Sequence, residues 1–209
     1  MDDSGFRNTV ESTMQTELDR IGSSKLLVAL TGADLSTDAV LAVAADSEAA
    51  AASVFEDWAD DAETAELGAA YGEMASAEQT HLDRVLAELD EYEPAGRGAI
   101  HDHLRSLDDP IERVAAGFVG RGLLALRTHT QLVSFFVNEP DERLADLFRD
   151  LKTETDAQIE RGVALLDERC ADEADWEQAK SAAEAVIRAA YEEYVAALEG
   201  LGINPKSVC

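Results

Sequence analysis

Lysine, cysteine, proline and the aromatics are all scarce in this sequence, and each scarcity excludes something. Four lysines stand beside 13 arginines, and these 17 basic residues face 44 acidic ones, for a net charge of −27. No basic patch is visible, so nucleic acid and anionic membranes are not expected partners. The two cysteines, Cys170 and Cys209, form no CxxC and lie far apart, so there is no disulfide framework, although a Cys170–Cys209 bridge stays open. With 4 prolines and 6% aromatic residues, and no period-two runs of Val, Ile and Thr, the chain lacks the marks of strands. The most apolar run, Val114 to Val137, is broken by Arg121, Arg127 and His129, which argues against a membrane span. The opening decapeptide MDDSGFRNTV has neither a basic nor an apolar leader region, so a cytoplasmic location is expected.

What is present is alanine, leucine and glutamate in helical rhythm. At 209 residues and 46% hydrophobic, the chain can bury one sizeable core. The pattern predicts an all-α fold. A short helix is expected over about 8–21, then four long ones: A over 37–60, B over 65–92, C from Pro110 to Val137 and D from about Pro140 to Arg169. A last helix is expected from Asp175 to Gly200. Asp109-Pro110-Ile111-Glu112 and Asp175-Trp176-Glu177-Gln178 both read as capping boxes. The A–B and C–D links are short and make antiparallel neighbours, whereas B to C is 16 residues, Pro94 to Asp109, long enough to run back along a helix. Two helical hairpins joined by a long crossover is the ferritin-like topology. The expected division is an N-terminal helical extension (1–35), a four-helix bundle (36–170) and a C-terminal helix (171–209). That last helix should pack outside the bundle or against a second subunit.

Helix B carries the chemistry. Its stripe runs Leu67, Tyr71, Met74, Glu78, His81, Val85, Leu89, so the Glu-x-x-His of Glu78 and His81 faces the core. A bare carboxylate there needs a proton, a cation or a metal. A shift of 77 residues lays LDRVLAELDE (82–91) on IERGVALLDE (159–168), the mark of an internal duplication. The same shift lays Glu78 on Thr155 and His81 on Gln158. The second half keeps the frame and lacks the ligands.

AVAADSEAAAASVFEDWA, a short turn, and GEMASAEQTHLDRVLAEL resemble the rubrerythrin family of the ferritin-like superfamily. FRDLKTETDAQIERG extends the likeness to about residue 170. The acidic excess with little lysine resembles the proteomes of extreme halophiles, so the likeness is to an archaeal, halophile-type member. The resemblance implies metal-centred reduction of peroxide or activation of dioxygen, with a partner electron-donor protein. It implies a helix A ligand at Asp46, with Glu48 nearby as a second choice, beside Glu78 and His81. The departures are a lost helix C ligand at Leu123, the pair Thr155 and Gln158, and no rubredoxin-type CxxC pairs. A complete di-iron centre is therefore not expected; one Fe, Mn or Zn is the metal reading. Its competitor is a charge partner: Arg121 or Arg127 from helix C could replace the metal's positive charge.

Other residues read more simply. Glu154 and Asp156 point off the core stripe. His101 and His103 are two apart and read as loop histidines, His129 as a core or interface histidine, and Tyr71 as a core tyrosine that could neighbour a redox site. Gly117, Gly120 and Gly122 allow close helix packing. A homodimer is expected, through helix C and the last helix. The alternative to a metal-dependent oxidoreductase is a non-catalytic scaffold that has lost its metal.

Overall fold

The structure, a computed structural model, describes residues 3–95, 98–139 and 141–206, and all regular secondary structure among them is helical. Three short helices open the chain: α1 (Asp3–Thr13), α2 (Gln15–Ile21) and α3 (Lys25–Leu30). The long α4 (Thr37–Asp60) and α5 (Ala65–Leu86) follow, then α6 (Ala99–Arg105) and α7 (Pro110–Val114). A π-helical turn, Ala115–Gly120, joins α7 to α8 (Arg121–Asn138). The chain ends in α9 (Glu142–Arg169) and α10 (Glu173–Gly200).

The sequence places the starts of α4, α5, α7, α9 and α10 through side-chain oxygens. Ser36 accepts from Ala39 N and Thr64 from Leu67 N, each satisfying an amide the first helical turn leaves unpaired. Asp109 accepts from the amides of Ile111 and Glu112, with Pro110 in the first turn. The reciprocal arm of that expected box is not made, because Glu112 instead accepts from Gln178 on α10. The last helix starts earlier than expected: Asp172 is its cap, and Asp175 turns back to accept from Ala171 N. The helix expected to reach residue 92 ends at Leu86. Beyond it the chain tightens into i→i+3 turns, and Tyr92 folds back to donate to Asp46. Pro140, the expected start of helix D, lies outside the described residues, and Asp141 caps α9 through Leu144 N.

Residue partners fix the helix directions. Trp58 stacks near Tyr71 at one end of α4 and α5, while Leu41 and Val85 share a cluster at the other, so the two run antiparallel. Phe136 stacks on Phe148, and a Cβ on Gly162 would strike Phe118, so the α7–α8 rod and α9 are also antiparallel. Tyr71 near Phe118 and Glu78 on Arg121 make α5 parallel to the rod that follows it. That requires the crossover to travel the length of α5. It is tied down on the way: Asp46 accepts from Tyr92 Oη and Ala95 N, and Arg105 donates to Asp57 and Ser53. Arg113 closes it, donating to both oxygens of Asp61 and to Leu107 O with Trp58 beneath its guanidinium.

α10 packs within its own chain. It buries Trp176, Ala179, Ala183, Val186, Ile187 and Tyr194, mostly against the π turn, α6 and α7. Gly120 makes this approach feasible, since a Cβ there would lie 2.8 Å from Ala183 O and 2.4 Å from a Val186 methyl. Gly117 and Gly122 do the same against Trp58 and Ile159, as expected. The larger apolar cluster includes Phe6 and Val10 of α1, Trp58 of α4 and Trp176 of α10, so segments from all three expected divisions share it. Among the described residues, no helix is long and apolar enough to cross a membrane.

Two apolar clusters divide the long helices. One holds Phe55, Trp58, Tyr71, Met74, Phe118 and Ile159; the other holds Leu41, Ala45, Leu82, Leu132, Phe136 and Leu151. On each of α4, α5, α8 and α9 the break between them falls at a polar residue: Glu48, Glu78 with His81, His129, and Thr155.

Candidate functional site

α5 presents Glu78 and His81 one turn apart on its buried face, each 1% exposed. α4 adds Glu48, 3% exposed, from across the hairpin. From the first turn of α8, Arg121 reaches between them. Its two terminal nitrogens donate to the two oxygens of Glu78 at 3.0 and 2.9 Å, and Nη2 lies 3.6 Å from Glu48 Oε2. The planar fork matches the carboxylate, and both partners are out of water, so this is a strong charge-assisted contact. Two turns further along α8, His129 Nε2 lies 3.4 Å from Glu48 Oε1. Its Nδ1 is 3.5 Å from the Thr155 hydroxyl, which itself donates to Leu151 O.

His81 is oriented from outside. Its Nε2 donates to Glu154 Oε2 at 2.8 Å, and Glu154 is braced by Arg84 at 2.9 Å. With that nitrogen committed, Nδ1 faces inward, 3.8 Å from Glu48 and 4.0 Å from Glu78. Burial disfavours the charged ring, but the hydrogen bond and charge of Glu48, with Glu78 and Glu154, outweigh it and raise the pKa of His81. Glu78 is pushed up to about 8, first by burial and then by the neighbouring Glu48 charge, against the pull of Arg121. Burial also works against ionised Glu48. Hydrogen bonds from the Glu78 carboxyl, His129 and His81, with the Arg121 charge, outweigh that and hold it well below the usual carboxylate range. The two carboxyl groups titrate as a coupled pair, Glu48 driven down and Glu78 driven up.

The sequence-based candidates separate here. Glu78 and His81 are in the cluster, and Arg121 is the charge partner. Asp46 is not brought there: it faces the crossover, accepting from Tyr92 and Ala95, and Glu48 stands in its place. Two residues along a helix is about 200° of rotation, which takes Asp46 off the face Glu48 occupies. Arg127 points to Glu11 of α1, at 3.5 Å. Leu123 is fully buried in the apolar cluster, Thr155 is buried beside His129, and Gln158 is half-buried. Glu154, expected to point away, hydrogen-bonds His81 from the rim, because a glutamate is long enough to reach around from the flank. Asp156 pairs with Arg7 instead. Tyr71 packs among Trp58 and Phe118, its hydroxyl pKa raised by burial. His101 is buried on α6 rather than exposed on a loop. Sequence reasoning underrated Glu48 and His129. The signal for His129 was its place on α8's buried stripe, three residues from Leu126 and three from Leu132.

One oxygen each of Glu48 and Glu78 and one nitrogen of His81 lie within 4.8 Å of one another, close enough to hold a metal ion. No family model, curated protein or solved structure matches the chain. The site's chemistry therefore rests on its own geometry. Two carboxylates and an imidazole are a plausible set for a single divalent ion, and the His81–Glu154 bond is the outer contact that orients a metal-binding histidine. The positions of Leu123, Thr155 and Gln158 add no carboxylate or imidazole to them. A single ion also has to compete with a guanidinium already seated on both oxygens of Glu78.

Proposed function

We propose that this chain is a rubrerythrin-like, ferritin-type four-helix bundle in which Arg121 supplies the positive charge that a metal supplies in that family. It then serves as a non-catalytic scaffold. The helix directions support the topology: α4/α5 and α8/α9 antiparallel, with α5 parallel to the rod it is joined to by the long crossover. The observation that carries the functional reading is the two-point contact of Arg121 with Glu78, which takes up one lone pair on each oxygen an ion would use. The polar layer then fixes helix register, since each member has a partner only when all four helices are aligned. In this reading the protein acts through its surface, as a homodimer or with another protein.

A second reading has one specific observation in its favour, the inward Nδ1 of His81 beside two carboxylates. There Arg121 swings aside, and Glu48, Glu78 and His81 hold one Fe, Mn or Zn. A bound ion would supply redox chemistry on peroxide or dioxygen with electrons from a donor protein. Metal analysis of protein expressed with all three metals available separates the two. The scaffold reading expects well under 0.1 metal per chain. About one ion per chain, lost in Glu78→Ala and His81→Ala, would overturn it in favour of the mononuclear enzyme.

A further inference from the structure

The sequence shows no basic patch, but the fold assembles one. On α9, Arg149, Lys152, Thr153 and Asp156 share a face at spacings of three and four. Against that face α8 sets Arg127 and Thr130, and α1 sets Arg7. Together they wall an open groove of about 560 Å³. Four of the chain's 17 basic residues stand in it beside one carboxylate, Asp156, in a protein of net charge −27.

The four cations are not equally occupied. Arg7 is spent: it donates to Asp156 and Glu160 and lies beside Glu11. Arg127 has Glu11 alone within ion-pair distance among the described residues, 3.5 Å from its Nη2. Its stem lies against Gly22, where a Cβ would come 3.1 Å from the Arg127 Cδ, so packing helps to place the guanidinium. Arg149 gives Nη1 to Asp146 and is half-exposed. A guanidinium has five N–H donors, so Arg127 and Arg149 both keep several. Lys152 is half-buried and has no carboxylate partner among the described residues, although the chain has 44 acidic residues to offer one.

Three cations with donors to spare call for an anion with several acceptor oxygens. An esterified phosphate carries about −1.5 to −2 charge on three strong acceptor oxygens, more on both counts than a carboxylate. The hydroxyls of Thr130 and Thr153 are turned to Leu126 O and Arg149 O, so the cations supply the donors. Carboxylates flank the groove at Glu11, Asp146, Asp156 and Glu160. A nucleic acid or an acidic protein would press against them, whereas a small ligand fits between. The volume lies within the roughly 300–1,000 Å³ of small-molecule sites.

We propose that this groove binds the phosphate group of a small molecule, held by Arg127, Arg149 and Lys152. The site stands apart from the buried layer and does not depend on what that layer holds. The experiment is calorimetric titration of the full chain, at one fixed KCl concentration, with ribose 5-phosphate, inorganic phosphate, ribose, glutarate and a thymidine oligonucleotide. Saturable one-to-one binding of ribose 5-phosphate is expected, at least tenfold tighter than ribose or glutarate. Ribose 5-phosphate binding tighter than inorganic phosphate would assign the groove to phosphate esters, and equal affinity would assign it to free phosphate. Lys152→Gln and Arg149→Gln should each weaken ribose 5-phosphate about tenfold, since each removes a charged donor. Lys180→Gln removes the same charge from α10, where Lys180 pairs with Glu177, and should leave the affinity within twofold. No saturable binding of either phosphate to the unmodified protein would overturn the proposal. So would glutarate or the oligonucleotide binding as tightly as ribose 5-phosphate. An equal loss in Lys180→Gln and Lys152→Gln would overturn it too, because it would mark a general effect of net charge. The comparison of probes needs no variant, so it decides the matter even if a variant fails to fold.

Discussion

Arg121 is the residue on which the buried layer depends. Removing it leaves Glu48 and Glu78 facing each other out of water without the guanidinium, so Arg121→Met should destabilise the protein by about 3–5 kcal/mol in urea unfolding. A loss under 1 kcal/mol would mean that water or a metal already serves those carboxylates. Glu78 makes a second prediction, about pH. Burial and the Glu48 charge push its carboxyl up from the ordinary 4.5 to about 8, so folding favours the protonated form across that window. The stability this proton provides is complete below about 4.5 and is lost as pH rises through about 8. His81, raised as well, acts with the same sign. Glu48 acts oppositely: its contribution is present above 4.5 and is lost as pH falls through its depressed folded value. Glu78→Gln keeps a neutral side chain able to accept from Arg121 and donate to Glu48. Its melting temperature should therefore vary less between pH 5.5 and 8.5 than that of the unmodified protein, with the gap between them widening toward pH 8.5. Parallel curves would show that Glu78 is ionised throughout.

The helices show what was legible in the sequence and what was not. Stripes at three- and four-residue spacing located all four long helices, because burial of one face is a local property of the sequence. They also put Glu78 and Thr155, matched by the 77-residue shift, on buried faces, as the structure does. Asp46 against Glu48 was not decidable that way. Alanine-rich α4 is apolar on several sides, and which carboxylate turns inward depends on where Tyr92 and the crossover lie. Glu154 was missed for a related reason: a long side chain at a stripe's edge can reach a partner that its Cα direction does not indicate. Close packing gives this scale its prediction. Gly120→Ala sets a Cβ 2.8 Å from the backbone oxygen of Ala183, which cannot rotate away, and should cost about 1–3 kcal/mol. Gly72→Ala, in α5 with nothing within 4 Å, should gain up to about 1 kcal/mol from helix propensity. Denaturant midpoints of the pair check the contrast, and equal effects would mean that α10 does not cross the π turn so closely.

At the scale of the molecule, charge dominates. A surface at −27 repels itself, and at 1 M salt such repulsion is screened beyond about 3 Å. The thermal midpoint should rise steadily from 0.1 to 2 M KCl, and much less with sucrose at matched osmolality. A midpoint insensitive to KCl would show that ion pairs such as Arg7 with Asp156 and Glu160 already balance the surface locally.

The π turn at Ala115–Gly120 makes one rod of two segments that face different neighbours. Upstream, Arg113 is locked to Asp61 and Trp58; downstream, Arg121 is locked to Glu78. Within the turn, the Arg121 amide bonds back five residues to Ala116 O instead of four. Each residue of a helix carries about 100° of rotation, so the turn sets the phase between the two arginines. Deleting Ala116 would restore regular α-helix at no cost in hydrogen bonds, yet only one of the two arginines could then find its carboxylate. The spare residue is a spacer of angle, and a one-residue gap in any related chain should be tolerated here only if one arginine is absent too.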